Sequence, residues 1–428
     1  MSPDFDRRDF ITLVGAGAAA TLAGCVMGPP KPVGRVIVIG GGFGGATVSK
    51  YLRMWSEGAI QVFMIEREAK FISCPLSNLV LGGSRNIAQN TFGYERLQKN
   101  HGVTVVQGEI AEIDTAKRVV KFKSNKYGNL TYDRVVLAPG IDFLYDQISG
   151  LNTPEAQRRI PHAWKAGEQT VILRNQLEAM QDGGVFVFSI PKAPYRCPPG
   201  PYERVCQVAD YFKRAKPRSK VVVLDANPQI TSKGKLFQAA WDTLYKGYID
   251  YQPNQEAKDV DLRTMTVKTE FDSIKGDVLN VVPPQTAGAI AHAAGVVTAN
   301  NRWCEVNWLT AESTVVPNVH VIGDATQSAP GMPKSGSMAN QQGKLAAAAI
   351  VALTTGKPVN QTPMINNTCY SYVSATEAMH VTSVHHWDAA KKTLLPVFGA
   401  GGVSPSSSAL EKQLADGWAL NIWNDSLG

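Results

Sequence analysis

Cys197 lies in a proline-rich turn where a second nucleotide would be expected to bind, and a thiol there can act as a nucleophile or a redox group. The stretch from Gly183 to Asp225 has the outline of a βαβ unit. It offers a strand (Val185–Ile190), a turn, a helix to about Ala215, a strand (Lys220–Leu224) and a terminal acid, Asp225. A dinucleotide site needs Gly-x-Gly-x-x-Gly in that turn, so that bare backbone can approach the pyrophosphate. Here the turn reads Pro191-Lys-Ala-Pro-Tyr-Arg-Cys-Pro-Pro-Gly-Pro-Tyr-Glu203, and its five prolines remove N–H donors. No second dinucleotide is expected here. A cysteine stands beside the missing site, the alternative being an incidental cysteine in a remodelled loop.

The first turn of the chain is intact. Arg35–Ile39 is a short apolar strand followed by Gly40-Gly-Gly-Phe-Gly-Gly45, with Gly40, Gly42 and Gly45 in the three required positions. A helix from near Ala46 would aim its N-terminal amides at a diphosphate. Strand Ile60–Ile65 then ends at Glu66, placed to accept hydrogen bonds from a ribose. Downstream, Val135–Gly140 is an apolar strand ending in a glycine turn, and Asn318–Ala325 is another, with Asp324 at its carboxyl end. In two-dinucleotide flavoproteins such segments return to the first domain, and the aspartate binds the ribitol of FAD. FAD is therefore expected by similarity to that superfamily, since spacing alone does not separate it from NAD; the other reading of Asp324 is a helix N-cap.

These residues need an α/β scaffold of two Rossmann-like dinucleotide-binding domains, glutathione-reductase-like, plus a C-terminal interface domain. The 428 residues suit two to three domains. The expected division is residues 1–30 as export signal, 33–148 with 289–358 as FAD-binding domain, 149–288 as second Rossmann-like domain, and 359–428 as interface domain. Met338–Leu353 reads as a helix, and Pro283-Pro284 and Gly356-Lys-Pro358 mark two boundaries. Net charge is +7, but the basic residues are scattered without aromatic interleaving, which argues against nucleic acid.

Asp6-Arg-Arg-Asp-Phe-Ile11 and the small apolar run Thr12–Ala23 form a twin-arginine pattern, too short to span a membrane. A periplasmic location is expected. Leu22-Ala-Gly-Cys25 resembles a lipoprotein cleavage box, so Cys25 is either a lipidated terminus or lost on cleavage elsewhere. The other cysteines are Cys74, Cys197, Cys206, Cys304 and Cys369, an odd number for an exported chain, leaving one free, modified or paired between chains. Cys74 follows Glu66 in Phe71-Ile-Ser-Cys-Pro-Leu-Ser-Asn78, where a thiol could be joined to a flavin.

Four blocks carry a closer resemblance: Ser73–Asn78, Pro161–Thr170, Arg196–Arg204 and Asn367–Ser371. With Pro333-Lys-Ser-Gly336 and Trp418, they resemble the flavoprotein subunits of flavocytochrome c sulfide dehydrogenases. The resemblance runs from about residue 34 to 428. It implies FAD joined through an 8α-thioether to Cys74, and a redox-active Cys197–Cys369 disulfide over the flavin with Glu203 nearby for proton transfer. It also implies contacts to the cofactor from Lys334 and Trp418, and a c-type cytochrome subunit facing the C-terminal domain. A Cys197–Cys206 pairing stays open.

The chemistry suits these residue types. Hydrosulfide is a soft two-electron donor, and its attack on a disulfide leaves a persulfide and a thiolate. Arg196 or Arg204 could stabilise that negative charge, although either can be a surface or ion-pairing residue. Glu203 could take a proton if burial raises its pKa, or be an ordinary acid in the first turn of a helix. The chain has no Cys-x-x-Cys-His motif and no Cys/His spacing of a metal site, so haem is expected only in the partner. His385-His386 reads as a surface pair. The alternative enzyme is a sulfide:quinone oxidoreductase docking on a membrane; a pyridine-nucleotide disulfide reductase and a non-catalytic electron carrier are further alternatives. An amphipathic C-terminal helix would favour the quinone enzyme, and Glu411–Gly428 shows no clean helical spacing.

Overall fold

Apolar runs at the start of the chain build a parallel sheet whose carboxyl edge gathers the expected cofactor residues. The computed structural model describes residues 32–124 and 126–428; the twin-arginine pattern and Cys25 lie outside these. The first sheet has the order Val306–Asn307, Glu312–Ser313, Val319–Val321, Arg134–Leu137, Gly34–Ile39, Ile60–Glu66, Thr104–Gln107. Its last five strands are parallel. Val36, Ile37 and Val38 are essentially without solvent exposure, as a strand covered on both faces requires. The fold is α/β.

The glycine turn leaves no room for side chains. Gly40 has φ +103°, and a Cβ there would lie 2.3 Å from the Ala138 carbonyl oxygen. A Cβ on Gly45 would lie 1.7 Å from the Gly40 carbonyl oxygen, so the helix can approach the strand only without it. A Cβ on Gly42 would meet nothing within 4 Å. The first two contacts shape the turn, and the third leaves the backbone open to a ligand. The helix begins at Phe43, one turn before the expected Ala46. The later helix spans Gly336–Thr355 rather than Met338–Leu353, because the Ser335 hydroxyl accepts from the Met338 N–H and sets its start.

The second sheet is a four-stranded parallel one, ordered Ile249–Pro253, Lys220–Asp225, Val185–Ile190, Val278–Val281. The two passages between the sheets run side by side, with Ile141–Phe143 antiparallel to Gln285–Ala287. The C-terminal part is an antiparallel sheet built on Met364–Tyr372 and Ala378–Asp388, followed by the helix Ala409–Leu427. That helix corrects the sequence reading. Its buried positions, Ala415, Ala419, Ile422, Trp423, Ser426 and Leu427, do keep helical spacing, but small and polar residues among them hid it. His385 is another correction: it is fully buried, and only His386 is exposed. Among the described residues no helix is long and apolar enough to cross a membrane.

In the second sheet the acid that would meet a ribose is already satisfied. Asp225 is fully buried and accepts from Tyr202 (2.8 Å), Tyr251 (2.9 Å) and both the backbone N–H and side-chain amide of Asn227. Tyr202 belongs to the helix that follows the proline-rich turn, so the acid is taken up by side chains of its own unit. Mixing the flavin-loaded protein with NADH under anaerobic conditions is expected to leave its 450 nm absorbance unchanged over minutes. Bleaching within seconds would show that this turn still receives a dinucleotide.

Candidate functional site

A cavity of about 1070 Å³ opens at the carboxyl edge of the first sheet and reaches both other units. Its wall includes Gly40, Gly42, Glu66, Cys74, Gly140, Cys197, Glu203, Asp324, Cys369 and Trp418. Gly45 does not line it, being packed against the turn. Lys334 does not line it either. Its ammonium donates to the Asp324 carbonyl (3.0 Å) and to the Thr326 carbonyl, over the Trp303 ring at 3.6 Å. It reaches the site through its own carbonyl, which accepts from the Cys197 N–H at 2.8 Å.

Asp324 shows what the cavity can hold. It caps no helix. Its Oδ1 is buried without a hydrogen-bond partner, and burial pushes its pKa up, opposed by Arg196 and Lys334. An orphaned carboxylate oxygen in a cavity wall suits a hydroxyl-bearing ligand. Glu66 accepts from the Gly41 N–H at 2.6 Å and the Glu68 N–H at 3.0 Å, tying the second strand to the glycine turn. Together with the open backbone at Gly42, these residues fit FAD: phosphates at the turn, ribose at Glu66, ribitol at Asp324.

Cys74 lines the same cavity. The Ala166 N–H lies 3.4 Å and the Arg196 guanidinium 3.3 Å from its Sγ. Arg196 also donates to the Trp164 carbonyl, so it is a cavity group rather than a surface ion pair. The Trp423 indole N–H donates to Ser73 at 2.9 Å, binding the C-terminal helix to the Cys74 loop. The Trp418 ring lies 6.0 Å from that of Tyr370, and both line the cavity.

The proline-rich turn is held from outside. Besides the bond from Cys197 to Lys334, the Arg196 N–H donates to Gln285 at 2.8 Å and the Trp164 indole donates to the Arg196 carbonyl at 3.1 Å. Cys197 has φ +60°, a conformation costing about 1–3 kcal/mol, and these bonds hold it. A Cβ at Gly200 would lie 2.8 Å from the Cys197 Sγ, so glycine makes room for the thiol. Cys369 lies in the strand Met364–Tyr372, and its Sγ donates to Asn367 at 3.4 Å. Cys197 and Cys369 line the same cavity, and a negative charge on Cys369 would disfavour ionisation of Cys197.

All five described cysteines are free thiols, so the expected Cys197–Cys369 disulfide is open in this structure. Burial pushes both thiols up; at Cys197, Cys369 and Glu203 add to this, while at Cys369 the main opposing charge is Lys233. Cys206 faces the core instead, accepting from the Trp241 indole at 3.3 Å, and does not line the cavity. Cys304 is also buried and off the cavity wall.

Glu203 is no ordinary surface acid. It is 8 % exposed, accepts from the Asn78 amide at 2.8 Å and the Tyr372 N–H at 2.8 Å, and burial raises its pKa against those bonds. Arg204 is buried as well, and donates to Asn78, Asn280 and the His162 and Ala163 carbonyls. Sequence reasoning missed three groups. Asn78 joins Glu203 to Arg204, the Lys165–Asp142 pair (2.7 Å) lines the cavity, and Lys233 stands behind Cys369. Asn78 and Lys165 lay within blocks already singled out; no motif marks Lys233. Among the described residues no cluster could hold a metal ion.

Residues 170–283 match the central part of the sulfide dehydrogenase [flavocytochrome c] flavoprotein chain. Residues 361–427 match the flavin-binding part of flavocytochrome c sulphide dehydrogenase, and residues 34–172 match pyridine nucleotide-disulphide oxidoreductase. The mitochondrial sulfide:quinone oxidoreductase of Dictyostelium discoideum is 21% identical over 402 residues, 88% of this chain and 85% of the relative. The sulfide dehydrogenase flavoprotein chain of Chlorobaculum thiosulfatiphilum is 50% identical over 46 residues, 11% of this chain and 94% of that sequence. In fold, the sulfide:quinone oxidoreductase of Aquifex aeolicus gives a TM-score of 0.72 at 17% identity, covering 91% of this chain and 92% of that one. NDH2 of Plasmodium falciparum gives 0.69 at 11%, covering 92% and 96%.

The orphaned oxygen of Asp324 yields a direct test. In a Cys74→Ser background, where no covalent bond can retain the cofactor, Asp324→Ala is expected to weaken FAD binding about tenfold or more, the worth of one hydrogen bond to a charged group. Titration of apoprotein with FAD, followed by flavin fluorescence, measures this. Unchanged affinity would remove Asp324 from the site.

Proposed function

We propose, from the premise that the chain belongs to the flavoprotein family of flavocytochrome c sulfide dehydrogenase and sulfide:quinone oxidoreductase, that it is a sulfide dehydrogenase flavoprotein chain. Its substrate is hydrosulfide, and its electrons pass by way of FAD to a c-type cytochrome partner. The observation that carries this reading is the meeting of Cys197, Cys369 and Glu203 on one cavity wall, beside residues that fit FAD.

In the oxidised form of the pair, the sulfur of hydrosulfide bonds to one cysteine sulfur. The Cys–Cys bond breaks, and the other cysteine leaves as a thiolate, so atoms and charge balance. Glu203 takes the remaining substrate proton, a task its raised pKa suits. Arg196 stands against the Cys74 sulfur, and its charge favours the ionised form of Cys197. Bound FAD supplies the two-electron acceptor. Cys74, with Arg196 and Ala166 against its sulfur, is the proposed point of 8α-thioether attachment. The proposal includes periplasmic location through the twin-arginine pattern, and haem in the partner alone.

One observation favours a second reading, reduction of quinone at a membrane. The C-terminal helix exposes Leu410, Leu414 and Leu420 at 64%, 48% and 58%, and a quinone-reducing relative matches most of the chain.

Anaerobic turnover with sulfide and either cytochrome c or a soluble quinone separates the two. Under the proposal, cytochrome c is reduced at least tenfold faster, and quinone preference would transfer the chain to the second reading. Cys197→Ser and Cys369→Ser are each expected to keep FAD and lower sulfide turnover by about 10³-fold or more. Turnover near the wild-type rate in either variant would leave only an electron carrier. The acid-precipitated protein is expected to stay yellow, with flavin mass on the Cys74 peptide; colour that washes out would end the thioether.

A further inference from the structure

Lys233 is buried behind Cys369, and the sequence offers no reason for it to be there. It lies in the left-handed region (φ +56°), immediately before the helix Gly234–Leu244 of the second unit, with 7 % of its surface exposed. A non-glycine residue in that conformation and a buried ammonium both cost free energy, so strong interactions must hold the side chain. It crosses to the C-terminal sheet, where Nζ donates to the Cys369 carbonyl at 3.1 Å and the Ser371 hydroxyl at 2.7 Å.

Both acceptors are neutral. Among the described residues no carboxylate lies within ion-pair distance of this ammonium, although other lysines there, such as Lys165 with Asp142 and Lys344 with Asp425, have one at 2.7 Å. A tie between two units would need only a hydrogen-bonding group. A full positive charge instead suits a place where negative charge comes and goes.

We propose that Lys233 is a positioning residue whose charge holds sulfur on Cys369 in its anionic form once the Cys197–Cys369 pair has opened. This deepens the sulfide-oxidising reading and rests on it. When hydrosulfide opens the disulfide, one sulfur becomes a thiolate and the other a persulfide, which also ionises. Whichever forms at Cys369, its negative charge lies beside a cation already desolvated and held by two hydrogen bonds.

The titratable and charged groups around Cys369 agree with this assignment. Cys197 and Glu203 act on it from the proline-rich turn and the helix that follows, whereas Glu411 of the C-terminal helix acts on Lys233 and is engaged with His380 at 2.7 Å. Arg196 stands against Cys74 and Cys197. Lys233 is thus the cation serving Cys369. Burial lowers its own pKa to about 8, against the pull of Cys369, Glu203 and Cys197, so it is charged at neutral pH.

The test uses the holoprotein in a Cys197→Ser background, where Cys369 cannot enter the pair. The rate of iodoacetamide modification at Cys369, followed by peptide mass against pH, gives the thiol's midpoint whatever its accessibility. Lys233→Met, or Lys233→Gln should the methionine variant not fold, is expected to raise that midpoint by half a unit or more, because loss of a nearby cation disfavours the thiolate. Lys233→Arg is expected to keep it near the parent value. A rise of less than half a unit in the neutral variants, or an equal rise in the arginine variant, would overturn the proposal. Sulfide turnover is no part of this readout, so a chain inactive toward sulfide would sink the functional reading and leave the titration result standing.

Discussion

Three charged side chains are buried where the three units meet, and each takes at least one hydrogen bond from another unit. Glu203 takes the Asn78 amide from the first unit and the Tyr372 N–H from the C-terminal sheet. Arg204 takes Asn78 and the carbonyls of His162 and Ala163. Lys233 takes Cys369 and Ser371. A buried charge that loses its partner costs several kcal/mol, so the units must keep the mutual placement that satisfies these groups. The same groups that fix how the units sit thereby set the electrostatics of the cavity between them.

Backbone geometry divides the labour differently. Cofactor-facing residues of the first unit follow from strand direction alone. The glycine turn, Glu66, Gly140 and Asp324 all fall at carboxyl ends of neighbouring parallel strands, where helix N-termini and free amides also point. The second unit keeps the same order over its four strands but treats its edge differently. Its acid is internalised by Tyr202 and Tyr251, and its first turn has become a mount for Cys197, braced by Lys334 and Gln285 from the returning chain. A nucleotide site and a thiol mount are thus two uses of one topological position.

Lys334 and Lys233 show how buried lysines can serve a site without lining it. Lys334 stiffens the loop behind Asp324 and presents a carbonyl to Cys197, whereas Lys233 presents charge toward Cys369. Both ammonium groups are desolvated, and burial lowers Lys334 to about 7 and Lys233 to about 8. Their acceptors differ: backbone carbonyls of the local loop around Lys334, and a strand of another unit around Lys233.

Much of the architecture was legible in the sequence because it rests on local patterns. Apolar runs specify the strands, glycine spacing specifies the first turn, and five prolines exclude the same turn from the second unit. The C-terminal helix was not legible, since small buried residues such as Ala415 and Ala419 carry little hydrophobic signal. Gly42 and Glu66 could be placed by spacing and Asp324 by resemblance, because each lies at or just past the end of a strand of the first sheet. Arg196, Asn78 and Lys233 could not be assigned their partners, because those partners lie in other units and no local pattern encodes a long-range hydrogen bond. By itself the sequence determined the fold class, the cofactor turn and the residue types able to do sulfur chemistry. Only the tertiary structure decided that Glu203 is buried, that Lys334 supports rather than lines the cavity, and that a lysine stands behind Cys369. Desolvation is the physical reason: it is a property of what surrounds a residue in space, and residues distant along the chain supply those surroundings.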